Sequence, residues 1–511
     1  MRDLSELVHS LPWTKLQASA VWEALLPSET KMARLFSLLQ ANADLTEAEA
    51  ALQLYGDAGA IARLRSLKSK VKERLLSVIF LLEPHSLGFT DRQQAYTECQ
   101  RRWSTALILL TRRVPGVAVE QLEQMLHHAR YFEFTELAMS AVFHLRHYYG
   151  VVAGDVEKYL LYRDLYRQYQ TLWAVENQAE ELYTDIICSM ANTRAPQHAL
   201  RTQAEAAFRR VERHLQTYNS FRLHLHGRLL QMFIYSSGND YRTVAALCED
   251  ALAFFQAKPY KSTSALQVFY YQLLVCCIQL RDFGRGQAII RQHSDVYPAH
   301  SLNWYKVQEL YFLLALHTRH YDDAFDLCES IAQDPKLDKQ PPATREMWKI
   351  YEAYAQFLAR IRRADRRPDP HFRMGKFLNE IPLFSKDRRG MNIPVLIVQM
   401  LFDILLKRYD AAIDRMEALS KYTDRYVRKN EHFRSNCFMK MLLQIPQAAF
   451  HREAAVRKAQ RYRDLLGQVP LDIANQPYEI EIIPYEDLWE MVLDILPQQR
   501  VRIYQRTAPA Q

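Results

Sequence analysis

Glycine is scarce in this chain, at 13 of 511 residues. Tight β-turn architectures and phosphate-cradling loops need backbone that takes φ > 0 freely, so the scarcity argues against both. Long helices need little glycine. Cysteine is sparse too: Cys99, Cys188, Cys248, Cys276, Cys277, Cys328 and Cys437 form an odd, widely spaced set with no C-x-x-C. That pattern disfavours a disulfide frame or a zinc site and suits reduced, buried thiols in a cytoplasmic protein. Long apolar runs are also lacking. The longest strongly apolar stretch, Ile393 to Leu406, is interrupted by Gln399 and Asp403. It falls short of the roughly 20 residues a bilayer requires. The opening Met1-Arg2-Asp3-Leu4-Ser5-Glu6 puts acids where a secretory segment needs apolar residues. The expectation is a cytoplasmic chain without a membrane segment.

What is present is helical periodicity. Hydrophobic residues make up 49% and charged residues 24% of the chain, the balance of a folded protein. Between Trp304 and His317, Trp304, Val307, Leu310, Tyr311 and Leu314 recur at spacings of three and four, laying an apolar stripe along one helix face. Similar patterns fill most of the chain with short connections, which predicts an all-α fold. The best strand signal is the alternation over 478–483, before Pro484.

A short aromatic-centred turn recurs between paired helices: Gly238-Asn239-Asp240-Tyr241, Arg281-Asp282-Phe283, Arg319-His320-Tyr321 and Lys407-Arg408-Tyr409, with Arg130-Tyr131-Phe132 a weaker copy. Counted on the aromatic, the steps are 42 from 241 to 283, 38 from 283 to 321, and 88, twice 44, from 321 to 409. A small residue three positions later, Gly286, Ala324 or Ala412, lets the second helix pack closely on the first. These units resemble tetratricopeptide repeats, although their period exceeds the usual 34 or so and the first-helix signature is missing. The resemblance implies an α-solenoid of helical hairpins.

Residues 29–80 read as three helices, the second opened by the capping box Thr46-Glu47-Ala48-Glu49. The third carries Ile61, Leu64, Leu67, Val71 and Leu75 on one side, with Arg65, Lys68, Lys70 and Lys72 among the cations crowding the rest. The segment resembles the helical core of a winged-helix or helix-turn-helix module, which some bacterial regulators join to tetratricopeptide repeats. That implies DNA contact through Arg65, Lys68, Lys70 and Lys72. Residues 77–82 offer one strand, with no hairpin to form a wing. Breaks at Leu82–Gly88 and Arg366–Pro370 divide the chain into a small helical N-terminal domain (1–84), a solenoid (89–365) and a basic helical block continuing it (366–511).

Charge concentrates in that last block. Between Arg360 and Lys440 there are 19 Lys/Arg against 10 Asp/Glu, while the whole chain is +8, so the remainder is close to neutral. The segments 372–394, 424–428, 433–438, 474–477 and 484–489 together resemble a family of bacterial helical-repeat proteins of about this length to which no activity is assigned. The resemblance implies architecture and no chemistry. Arginine suits bidentate recognition of carboxylate or phosphate, and the run before residue 392 leads into a helix N-terminus. Lys376, Lys386, Arg388, Arg389, Asn392, Arg425, Arg428 and Arg434 are therefore the candidate contacts for a protein or peptide partner, an acidic one above all. The plainer alternative is local pairing of Asp387 with Arg388, with Asn379 and Asn392 capping helices.

Nucleotide-binding, nucleophile-elbow and zinc-protease motifs do not occur, and Gly284-Arg285-Gly286 lacks the third glycine and the preceding strand of a dinucleotide site. The close pairs His144/His147, His224/His226 and His317/His320 have no carboxylate or thiol at ligand spacing. No catalytic residue, metal or cofactor is assigned. The expected function is a non-enzymatic scaffold or adaptor, with a DNA-binding regulator as the alternative.

Overall fold

The computed structural model describes residues 1–17, 20–82, 90–192, 197–375, 377, 392–414, 433–469, 471 and 481–498. Among these it contains 22 α-helices and no strand. The expected strand over 478–483 lies outside the described residues up to 480, and 481–483 are irregular. The chain forms two compact units. One comprises Met1–Glu180, His214–His224 and Ala257–Ser262, the other Glu181–Arg213, Leu225–Gln256 and Thr263–Gln511.

The first unit begins with helices Arg2–Ser10, Lys31–Ala41, Glu47–Tyr55 and Ile61–Ser77 around Leu4, Val8, Trp13, Phe36, Leu39, Leu64, Val71 and Leu75. Both halves of the Thr46/Glu49 capping box form, and Gly56 ends that helix at φ 71°. After the third of the expected helices comes a short 3-10 turn, Ile79–Leu81, where the sequence suggested a strand. No wing follows among the described residues. A second hydrophobic cluster joins Asp91–Thr111, Pro115–Tyr131 and Thr135–His147 through Cys99, Leu122, Met125, Leu137, Val142 and Leu145, with Tyr149 and Tyr162.

One turn recurs in both units. Arg113, Glu133, Asn239, Arg281, Arg319, Arg362, Lys407 and Ala449 all have φ between 51° and 64°. In each case the next residue's amide donates back to the carbonyl five residues earlier. Asp282 N–H donates to Cys277 O (2.9 Å), His320 N–H to Ala315 O (2.8 Å) and Arg408 N–H to Asp403 O (2.8 Å). This is the Schellman closure, usually glycine's position, carried here by polar residues at every site but Ala449. In the second unit these residues step by 42 (239 to 281), 38 (to 319), 43 (to 362), 45 (to 407) and 42 (to 449). The 88-residue interval in the sequence thus hides a turn at Arg362, and a further one follows at Ala449.

Two of the turns of the second unit touch the next one. The Phe283 ring lies on the His320 ring (centroids 3.6 Å apart, planes 10° apart), and Tyr409 meets Phe450 at 4.4 Å. The aromatic that opens one second helix thus touches the residue that closes the next turn. At Gly286 a Cβ would run into Leu314 and lie 3.5 Å from the Cys277 Cβ, and Ala324 and Ala412 are fully buried, as the small-residue pattern implied.

The first helices of these hairpins are buried on almost every side. Leu302–His317 buries Gln308, Glu309 and His317 together with its apolar residues, and Pro342–Arg360 buries Ala353 through Ala359 without a break. The single stripe read from Trp304 to His317 therefore understates the contact, since a helix apolar all round is an interior helix. Thr263–Leu280 behaves alike. Among the described residues it alone is long and apolar enough to cross a membrane, and 61% of that window is buried in packing.

Candidate functional site

Polar residues on these interior helices are costly unless partnered. The helix Tyr485–Ile495 supplies partners. It buries Leu488, Trp489, Val492 and Leu493 and carries a carboxylate row whose members each meet an arginine of another segment. Glu486 meets Arg434 (2.7 Å), Asp487 meets Arg319 (2.5 Å), Glu490 meets Arg463 (2.9 Å), and Asp494 meets Arg452 (3.3 Å) and Arg363. Just before this helix, Glu481 is fully buried. It accepts Arg434 Nε at 2.5 Å and Nη2 at 3.1 Å, and the Tyr485 amide at 3.2 Å. Burial pushes the Glu481 carboxyl up to about 7, although the Arg434 bonds pull the other way. Arg434 Nη1 also donates to Leu466 O and Val469 O.

His317 completes this interior frame, with Nε2 2.8 Å from the Glu481 carbonyl. Burial lowers it to about 4, so the ring is neutral at pH 7 and Nε2 is its donor. A second buried carboxylate, Glu309, is raised by burial and bound by Lys306 at 2.8 and 3.0 Å. Glu481 and Glu309 thus each have a cationic partner, and His317 a backbone carbonyl. Among the described residues, no three His, Cys, Asp or Glu side chains gather as a metal would require.

Helix Arg452–Gly467 is different on its two edges. One edge sends Arg452 and Arg463 to the acidic helix. The other exposes Arg457, Lys458 and Arg461. Arg457, 70% exposed, has only a loose contact with Glu453 at 4.0 Å, and Lys458 and Arg461 have no ion partner among the described residues. Ala454, Tyr462 and Leu465 lie half-buried along the same edge, and Lys440 sits 5.9 Å over the Tyr462 ring.

The first unit presents an aromatic face. Helix Val156–Asn192 carries Tyr159, Tyr166 and Trp173 seven residues apart, hence in line and about 10 Å apart along the axis. Phe143 lies beside Tyr166 (5.9 Å), and Arg146 covers both rings, at 5.4 and 4.5 Å. Phe143 is 44%, Trp173 38% and Tyr159 37% exposed, and Val151, Val152, Val156 and Leu160 continue the apolar surface toward the helix start. The helix is held down by buried Glu176, which accepts the Thr135 hydroxyl at 2.8 Å. Gly150 lets the preceding turn press against the Tyr159 ring.

Of the partner-binding candidates, Lys376, Lys386, Arg388, Arg389, Arg425 and Arg428, like Asp387 and Asn379, lie outside the described residues, as does the Asn392 side chain. Arg434 is a correction. It is 5% exposed and has its donors engaged by Glu481, Glu486 and two carbonyls, so it braces the interior and offers no surface contact. On the N-terminal helix, Lys68 is tied to Glu47 (2.5 Å), Arg65 lies 4.0 Å from Glu47, and Lys72 lies 3.9 Å from Asp3. Lys70 is exposed. The acidic neighbours offset much of the positive field the composition suggested. Sequence reasoning missed the aromatic ladder, although its period of seven was visible at 159, 166 and 173. It also missed the outer edge of 452–467, which lies beyond the window where charge was counted.

All seven cysteines are free thiols, six of them buried. Burial pushes Cys99 and Cys276 up to about 12. No family model, no curated protein and no solved structure matches this chain.

Proposed function

We propose that the protein is a non-enzymatic scaffold or adaptor, built largely from tetratricopeptide-like helical hairpins, that binds another protein or a peptide. The observation that carries this reading is the ladder of exposed Tyr159, Trp173 and Phe143, with half-buried Tyr166 and Arg146 between them. Aromatic residues and arginine are the anchors of protein interfaces, and they rarely stand in line on a surface that meets only water. Two further features support it. The turn that closes the hairpins recurs at 38 to 45 residues, with an aromatic contact to the next turn at Phe283–His320 and Tyr409–Phe450, as stacked repeats favour. The buried titratable groups described above are engaged within the fold, Glu481 by Arg434, Glu309 by Lys306, Glu176 by Thr135 and His317 by a carbonyl, as structural groups are. Free, mostly buried thiols fit a reducing compartment such as the cytoplasm. The DNA-binding reading draws less support, because Lys68 is engaged and Arg65 and Lys72 face carboxylates.

The test is a photo-crosslinking residue at position 173 in the full chain. A discrete adduct with one partner is expected, together with at least tenfold weaker recovery of that partner by Phe143→Ala/Trp173→Ala, both exposed positions, at an unchanged thermal transition. Equal recovery by the double variant would remove the ladder from the interface and the reading with it.

A further inference from the structure

We infer that the outer edge of helix Arg452–Gly467 docks an acidic amphipathic helix of a partner protein. This rests on the adaptor reading and adds the partner's chemistry to it. The fold itself contains the precedent. On the inner edge of the same helix lies Tyr485–Ile495, whose carboxylates Glu486, Glu490 and Asp494 stand at i, i+4 and i+8 and meet Arg434, Arg463 and Arg452. Its apolar residues Leu488, Trp489 and Val492 fill the space beneath them. An acidic row over an apolar stripe is therefore a shape this hairpin already accommodates.

The outer edge repeats the receiving half of that arrangement. Arg457 and Arg461 are four residues apart, about 6 Å along the axis, which is also the step between carboxylates at i and i+4 of a partner helix. Lys458 flanks them, and half-buried Ala454, Leu465 and Tyr462 supply the apolar floor. The nearby acids do not fill the position. Glu453 reaches only Arg457, and only at 4.0 Å, and Asp464 receives a hydrogen bond from Gln460 (2.7 Å). The cations are set within two turns. A nucleic-acid track would call for a longer positive stripe, because its affinity rises with the number of phosphates neutralised.

The probe is a labelled helical peptide with glutamates at i, i+4 and i+8 on one face and leucines beside them, titrated with the full-length protein at low ionic strength and read by fluorescence anisotropy. A control peptide of the same composition has its glutamates spread around the helix. The one-faced peptide should bind at least about tenfold more tightly than the control, and Arg457→Gln/Lys458→Gln/Arg461→Gln should remove at least about tenfold of that affinity. All three positions are exposed, so the thermal transition should stay in place. Equal affinity for the two peptides, or unchanged binding by the triple variant, would overturn the inference. So would tighter binding of a single-stranded or duplex oligonucleotide of equal charge. Trp173→Ala should leave peptide binding unchanged, so failure at this edge is distinguishable from failure at the aromatic ladder.

Discussion

The first and second helices of the C-terminal hairpins differ in what surrounds them. Leu302–His317, Pro342–Arg360 and Phe433–Gln447 are enclosed on most sides, and Glu309, His317 and Arg434 buried on them each meet a partner. Phe283–Gln292 buries only Gly286 and Ile289, and Arg452–Gly467 only Ala455, Ala459 and Leu466. The same residue type therefore has opposite roles in the two rows. Arg434 is a buried strut and Arg457 a solvated cation, although both belong to one hairpin. Charge counted along a sequence locates basic residues. Whether they are free to meet a partner depends on which helix row they occupy.

The sharpest break between the rows should come from Arg434→Ala. It strands buried Glu481, and removing one member of a buried pair costs about 3–5 kcal/mol. Urea unfolding followed through the C-terminal tryptophans measures it. Arg434→Met combined with Glu481→Leu should recover much of the loss, and no recovery would mean that shape rather than charge dominates. Next comes pH. Burial holds His317 at about 4, below its ordinary 6.5, so the unfolded chain takes up a proton that the folded chain refuses. Stability should fall as pH drops from 6.5 to 4, by up to about 3 kcal/mol. Arg281, Asp487, Arg434 and the Glu481 carbonyl face the ring. Glu481, raised to about 7, works in the opposite sense, losing stability as pH rises toward 7. The difference between wild type and His317→Asn isolates the histidine, and parallel pH profiles would refute its role.

Two glycines where the rows meet, two residues apart, should respond with opposite signs. Gly286→Ala drives a methyl into Leu314 and should cost about 1–3 kcal/mol by overpacking. Gly284 is exposed, and the nearest atom to its missing Cβ is Asp282 Oδ1 at 4.0 Å. Gly284→Ala should therefore gain up to about 1 kcal/mol of helix propensity. Thermal melts of both variants decide it, and a shift of equal sign would deny that the hairpins are closely packed at Gly286.

Much of the helical content was legible because apolar spacing reports helices directly, and the aromatic turns at 241, 283, 321 and 409 marked real hairpin closures. The turns at Arg362 and Ala449 were not legible, because no tyrosine or phenylalanine stands two residues after them: Ala364 lies there in irregular backbone, and His451 there caps the next helix. The burial of Arg434 was hidden for a related reason. Its partners Glu481 and Glu486 lie about 50 residues downstream, and local pattern carries no information on that distance. The capping box at Thr46 was readable because both of its bonds span three residues.

The smallest expected effect concerns the turns themselves, where a scarcity of glycine coexists with a need for positive φ. Arg281 is exposed at φ 55°, a conformation that costs an L-residue roughly 1–2 kcal/mol. Glycine removes that strain but gives the unfolded chain more freedom, an opposing term of about 0.5–1 kcal/mol. Arg281→Gly should thus stabilise by about 0.5–1 kcal/mol, a rise of a degree or two in Tm for a unit of this size. Arg281→Val, β-branched and ill suited to positive φ, should lower it. If valine were tolerated as well as glycine, the turn would not be holding the left-handed conformation, and the regular step of 38 to 45 residues would lose its structural meaning. If the two variants separate as expected, the long polar residues at these positions are retained at a small cost in stability. Arg319 shows one use for such a residue, since the side chain that closes its turn also reaches Asp487 on the acidic helix.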